Sequence, residues 1–260
     1  MTTATRVHSE SLAVGVDGCR AGWVAVARSQ DRLEYRLHAT FAELLQAWPS
    51  TATIFVDIPI GLPSRACPSR TCDTEARRLL GPGRASSVFS PPCREAARAA
   101  SIELAREINL RELGRSLSAQ AWGICPKIVE VDELLRDEPA LVHRVKEVHP
   151  ELLFWALNAG RAMRHAKKSR YGAQERATLL ERFEPRAPEL GERVLKEHRR
   201  AHVGRDDVVD ALAAMLTTGA SHEGSECLAT TTVPKVPEVD EVGLPMCMWI
   251  PAGSLMAAHA

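Results

Sequence analysis

Four aspartates carry the chemistry for which this chain can be read. Asp17 ends an apolar run at residues 12–16, and Asp57 ends a second at 54–56. Asp207 and Asp210 open a helix-patterned stretch at 206–217. A carboxylate at the end of a buried strand is costly unless something positive meets it. Mg²⁺ and Mn²⁺ prefer carboxylate and water oxygens. Two such ions about 3.5–4 Å apart clamp a phosphodiester, one activating the attacking water and the other steadying the leaving oxygen. The expected chemistry is therefore metal-dependent hydrolysis of phosphodiester bonds in nucleic acid. Asp17, Asp57, Asp207 and Asp210 are the expected ligands, with Mg²⁺ or Mn²⁺ as cofactor.

Each aspartate also has an ordinary reading. Asp17 precedes Gly18 and could form a turn. Asp57 could cap the Pro-Gly loop after it. Asp207 and Asp210 could sit on a solvated helix N-terminus, where acids are favourable. Residues 207 and 210 are three apart and share a helix face, whereas Asp206 points roughly 100° away. The four occurring together, in this order along these elements, favour a metal cage.

The elements that must position them follow from pattern. Residues 12–17, 23–28 and 33–39 read as three strands joined by tight connections, an antiparallel meander. Thr40 with Glu43 has capping-box spacing, so a helix runs to about Trp48, where Pro49 stops it. Residues 53–57 follow a helix and read as a strand parallel to the first. Residues 74–80 and 95–113 look helical, 124–130 extended, and 131–136 a short helix. Residues 144–148 alternate as a strand, followed by a helix at 151–159. Residues 221–232 read as a polar link, and 246–250 as a final edge strand. The fold class is α/β, a mixed five-stranded sheet flanked by helices, with a helical insertion after the fourth strand. The expected domain covers 11–220, with its insertion at about 60–140, and 221–260 forms a tail.

Bulk properties narrow the function. A chain of 260 residues, 45% hydrophobic, can bury a substantial core. Its formal net charge of +0 argues against non-specific coating of nucleic acid or membrane, so any nucleic-acid contact needs a local basic patch. No apolar stretch approaches the ~20 residues of a membrane span, and residues 1–10 lack a signal-peptide core. A cytoplasmic location is expected. The seven cysteines are scattered, which suits free thiols. The pair Cys67 and Cys72, without a second close pair, is weak for zinc.

Several segments resemble one family. Residues 14–23 (VGVDGCRAGW) and 57–63 (DIPIGLP) resemble the first two motifs of domain-of-unknown-function family 429. Residues 86–89, 126–132 and 147–151 resemble others, and 206–213 (DDVVDALA) the last. Ala21 stands where the family more often has glycine. The family is described as predicted nucleases of ribonuclease-H-like fold, and the 207–210 helix also resembles the last catalytic helix of Holliday-junction resolvases. The resemblance implies a ribonuclease-H-like sheet, with Asp17, Asp57, Asp207 and Asp210 as metal ligands.

Other residues are weaker candidates. Glu147 could be a further catalytic carboxylate, and His149 a proton shuttle with a near-neutral pKa. A His-Pro turn bonded to backbone explains His149 equally. Glu130 and Asp132 could line the cleft or a surface turn. Arg20, Arg65, Lys167 and Lys168 are candidate phosphate-binding residues, Lys167 and Lys168 on a helix shared with Arg176. A solvated helix face also explains that basic run. Trp23 reads as core. Two other functions share the fold. An actin-like ATPase or phosphotransferase would also begin with a strand, an Asp and a glycine turn, although no GxxxxGK[ST] loop occurs. A non-catalytic nucleic-acid- or protein-binding module is the third option. A homodimer would be required only for junction resolution.

Overall fold

The computed structural model describes residues 12–29, 32–218 and 229–252. The reading of residues 1–10 lies outside them, as does most of the expected 221–232 link. Strands β1 (Ala13–Cys19), β2 (Gly22–Ser29) and β3 (Arg32–His38) form the expected meander. Helix α1 (Phe41–Ala47) follows, capped by Thr40 Oγ1 accepting from Glu43 N–H at 3.2 Å. Strand β4 (Thr53–Val56) returns parallel to β1, and β5 (Val145–Glu147) lies parallel to β4. The order β3-β2-β1-β4-β5, with only β2 antiparallel to both its neighbours, is a mixed five-stranded sheet in a ribonuclease-H-like arrangement.

Between β4 and β5 run α2 (Thr71–Leu80), α3 (Arg94–Ala97), α4 (Ile102–Leu113) and α5 (Ala119–Asp137). The single helix expected at 95–113 is two, because Ser101 caps a new one, its Oγ accepting from Leu104 N–H at 3.2 Å. The extended segment expected at 124–130 is instead the middle of α5, with Pro126 inside it. The buried set Ala121, Cys125, Ile128, Val131 and Leu135 has helical spacing. That burial outweighs both the β-branched composition and the hydrogen bond that proline removes.

After β5 come α6 (Pro150–Leu157), α7 (Arg170–Phe183), α8 (Ala187–Glu197) and α9 (Arg205–Met215). The expected edge strand at 246–250 pairs elsewhere: β7 (Pro245–Pro251) joins β6 (Thr230–Val239) in a separate two-stranded sheet. Residues 230–232, expected within the link, belong to β6. No helix among the described residues is long and apolar enough to cross a membrane.

Alternation along β1 sorts its side chains between two layers. Val14 and Val16 join the core under α1 and α5, with Trp23, Ile54 and Val56. Gly15 faces the other way, against α9, whose Ala211 and Ala214 pack in the second core with Phe55. A methyl group on Gly15 would overlap the Ala211 carbonyl oxygen and the Met215 amide nitrogen. Glycine is therefore what lets α9 lie directly on β1. Gly15→Ala is expected to destabilise the protein by about 3 kcal/mol or more, the scale of overpacking against rigid backbone. Urea denaturation would measure it, and a loss under ~1 kcal/mol would contradict this packing.

Candidate metal centre

Asp17 follows Gly15 on the α9 face of β1. Its neighbour across the parallel pair is set by register: Val16 partners Val56, and Asp57 N–H donates to Val16 O at 3.1 Å. Asp57 lies two residues beyond Phe55, on the same face, and so takes the α9 side as well. Asp210 comes to them from the buried face of α9. The structure thus brings Asp17, Asp57 and Asp210 together at the carboxyl edge of the sheet.

Their electrostatics reflect that crowding. Burial, then Asp210 and Asp57, push the Asp17 pKa well above the carboxylate range. Burial, then Asp210, raise Asp57 to about 8. Burial raises Asp210 to about 6, with Lys167 opposing. The Lys167 ammonium is ion-paired to Asp210 Oδ2. Burial works against that ammonium, but Asp210, Asp17 and Asp57 outweigh it and leave its pKa above the ordinary lysine value. One ammonium thus faces three carboxylates. Asp210 Oδ1 is buried with no hydrogen-bond partner among the described residues. An orphaned carboxylate oxygen among acid groups, short of positive charge, fits a hard divalent cation.

Asp207 has a different place. Its Oδ2 accepts from Gly204 N–H at 2.8 Å and so caps α9. It lies close enough to add to the field at Asp17. Burial raises its own pKa. Asp206 is exposed. Asp17 Oδ1 also accepts from Gly18 N–H at 2.7 Å, so the turn reading of Asp17 holds together with its place in the cluster.

Glu147 is committed elsewhere. Arg70 Nη2 lies 2.6 Å from both of its oxygens, and Ile60 N–H donates to Oε2 at 2.7 Å. Burial raises its pKa to about 7 although Arg70 opposes. With Cys72 and Asp73 it forms a buried group whose ligand atoms lie within 4.8 Å of one another. Arg70 already supplies a cation there, 3.0 Å from Cys72 Sγ. Burial pushes the Cys72 thiol up, so it stays protonated and a poor ligand. His149 Nε2 lies 3.3 Å from Ser87 O, the backbone reading, and burial lowers its pKa.

The basic candidates also separate. Arg65 is exposed and pairs with Glu112, Nε to Oε2 at 3.1 Å, on the surface of the insertion. Arg20 is exposed in a groove of about 530 Å³ shared with Arg200, His202 and Asp207. Lys167 and Lys168 precede α7 rather than lying on it. Arg176, expected on the same exposed face, is buried and holds Glu151. Glu130 accepts from Trp23 Nε1–H at 3.0 Å, and Asp132 from Arg94 at 2.8 Å. Both lie in α5 and hold elements together, and Trp23 is core as expected. Sequence reasoning missed Lys127. Its alkyl chain lies beside Gly18, its ammonium on Gly22 O and over the Trp23 ring, 4.3 Å from the centroid. Its only sequence signal was its place in the 126–132 motif.

A family model described as "Protein of unknown function (DUF429)" matches residues 15–238. The chain belongs to this family. No curated protein and no solved structure matches it. The DUF429 match spans every residue of the acidic cluster, Lys167 included.

The raised carboxylates of this DUF429 chain fix a pH dependence. An acid whose folded pKa exceeds its unfolded value, about 3.9 for Asp, binds more protons when folded. Its stabilising contribution is complete below the unfolded pKa and is lost as pH rises through the folded one. For Asp57 that window runs from about 4 to about 8. With metal chelated, Asp57→Asn should raise the urea midpoint more at pH 8 than at pH 5. An equal gain at both would contradict the shift.

Proposed function

We propose that this chain is a Mg²⁺- or Mn²⁺-dependent nuclease that hydrolyses phosphodiester bonds in nucleic acid. The observation that carries the reading is the charge shortfall at the cluster: Asp17, Asp57 and Asp210 meet one ammonium, and Asp210 Oδ1 has no partner among the described residues. Asp17, Asp57 and Asp210 would hold the ions, with Asp207 at their flank. Bound metal would lower the pKa of a water nucleophile and stabilise the leaving oxygen, the chemistry of two-ion sites.

The remaining residues do other work. Gly15 and Asp207 fix where α9 begins and how close it lies, which sets Asp210 against the strand ends. Lys167 tempers repulsion among the acids before substrate arrives, and its ammonium can meet a phosphate oxygen when the acids gain other counter-charge. Arg20 and Arg200 on one side, and Lys168 on the other, would grip flanking phosphates, which positions a strand without reading its sequence. His149 is not placed for proton transfer, since its ring is neutral and turned to Ser87 O. Among the described residues, Arg20 and Arg200 have no carboxylate within ion-pair distance, which leaves their charge for a ligand.

The test is cleavage of single-stranded, duplex, hybrid and branched DNA and RNA with Mn²⁺ or Mg²⁺. Activity is expected on at least one substrate, and Asp17→Asn or Asp210→Asn should reduce it by about a hundredfold or more, the scale of losing one preorganised electrostatic group. No cleavage of any of them, with either metal, would overturn the proposal.

A further inference from the structure

Helices α7, α8 and α9 do not close completely over one another. They leave a cavity of about 430 Å³, within the range of small-molecule sites. Its wall includes Ala177 and Leu180 from α7, Gly191 from α8, and Val209 and Leu212 from α9. Lys167, Lys168 and Arg205 stand at its mouth, with Asp206 and Glu192. Lys167 is the ammonium that pairs with Asp210, so the cavity opens beside the acidic cluster.

Gly191 is the telling residue. It lies inside α8, where glycine is the least favourable residue after proline. A Cβ built on it would meet nothing within 4 Å, and its φ is not in the positive range. Neither packing nor backbone conformation calls for glycine there. What the missing side chain leaves is space. Arg176, which also lines the cavity, has its guanidinium spent on Glu151 and on the carbonyls of His165 and Gly172. The interior is therefore apolar, and the charges left without an ion pair among the described residues, Lys168 and Arg205 with Asp206 and Glu192, stand at the mouth.

We propose that this cavity is a nucleobase subsite, taking one unpaired base of a bound strand while Lys168 and Arg205 hold the adjoining phosphate. The inference rests on the nuclease reading and narrows it to substrates with an unpaired nucleotide near the cut. An apolar slot suits the faces of any base, and Lys168 and Arg205 are the groups that can meet the phosphate it carries. Four of the five Arg176 N–H groups are bonded within the protein, which leaves little to read a base edge, so the subsite accepts bases with weak regard to identity.

The test compares binding of oligoadenylate, in ribo and deoxy forms, with an abasic sugar-phosphate chain of equal length. It uses the full chain in EDTA, so that nothing is cut. Wild type should bind the base-bearing strand about fivefold or more tightly, the scale of removing about 40 Å² of apolar surface from water. Gly191→Leu, which fills the cavity and favours the helix, should remove that preference while leaving abasic binding unchanged and the melting temperature no lower than that of wild type. Equal binding of both chains by wild type, or a preference that survives Gly191→Leu, would overturn the subsite. If cleavage persists in that case, the nuclease reading stands and only the subsite falls. If no strand is bound or cut, both fall.

Discussion

Among the described residues, Lys167 and Asp210 form the one ion pair inside a cluster that holds more carboxyl groups than a single ammonium can balance. Removing carboxylates from water is expensive, and each further one without a counter-charge costs more. The fold meets that cost only in part. Lys167 lies on Asp210 Oδ2, Asp17 takes the Gly18 N–H, and Asp207 takes the Gly204 N–H. Asp210 Oδ1 is left with no partner among the described residues. Elsewhere the molecule pairs its buried acids closely: Glu147 with Arg70, Glu151 with Arg176, Asp132 with Arg94 and Arg98. Glu151 Oε2 also lacks a hydrogen-bond partner among the described residues, but its other oxygen holds Arg176; at the edge of the sheet three acids share one ammonium.

That convergence depends on a tight scaffold. The parallel register of β1 with β4 sets Asp17 beside Asp57, and Gly15 admits α9 onto the strand. The loop after β4 is held from the far end of the chain. Asp240 Oδ2 accepts from Leu62 N–H at 3.0 Å, and Arg94 Nη2 donates to the same oxygen at 2.6 Å. Arg94 also binds Asp132 of α5, so the helical insertion, the loop beyond Asp57 and the C-terminal hairpin are tied at one point. A cluster that must hold its geometry under mutual repulsion needs support of this kind on rigid elements.

The parts legible in the sequence were those with local or short-period signals. Apolar runs ending in Asp gave the strand ends, and spacing of three gave the shared face of Asp207 and Asp210. Which of those two joins the centre was not legible, because the capping bond of Asp207 depends on where α9 begins. The α5 helix was obscured by Pro126 and by β-branched residues whose burial alone decides the matter. Arg70 with Glu147, and Lys167 with Asp210, are 77 and 43 residues apart, and no local pattern encodes such pairs. Arg65 looked close to the acids in sequence, yet the chain after β4 carries it out to Glu112. The hairpin of β6 and β7 was hidden by prolines that an isolated two-stranded sheet tolerates at its edges.

The most direct measurement is anomalous scattering from crystals of the protein soaked in Mn²⁺. The account predicts a manganese peak within coordination distance of Asp17, Asp57 and Asp210, with Lys167 moved off Asp210 Oδ2. A peak confined to the Cys72, Asp73 and Glu147 group, or none at the acidic cluster with millimolar Mn²⁺ present, would contradict it.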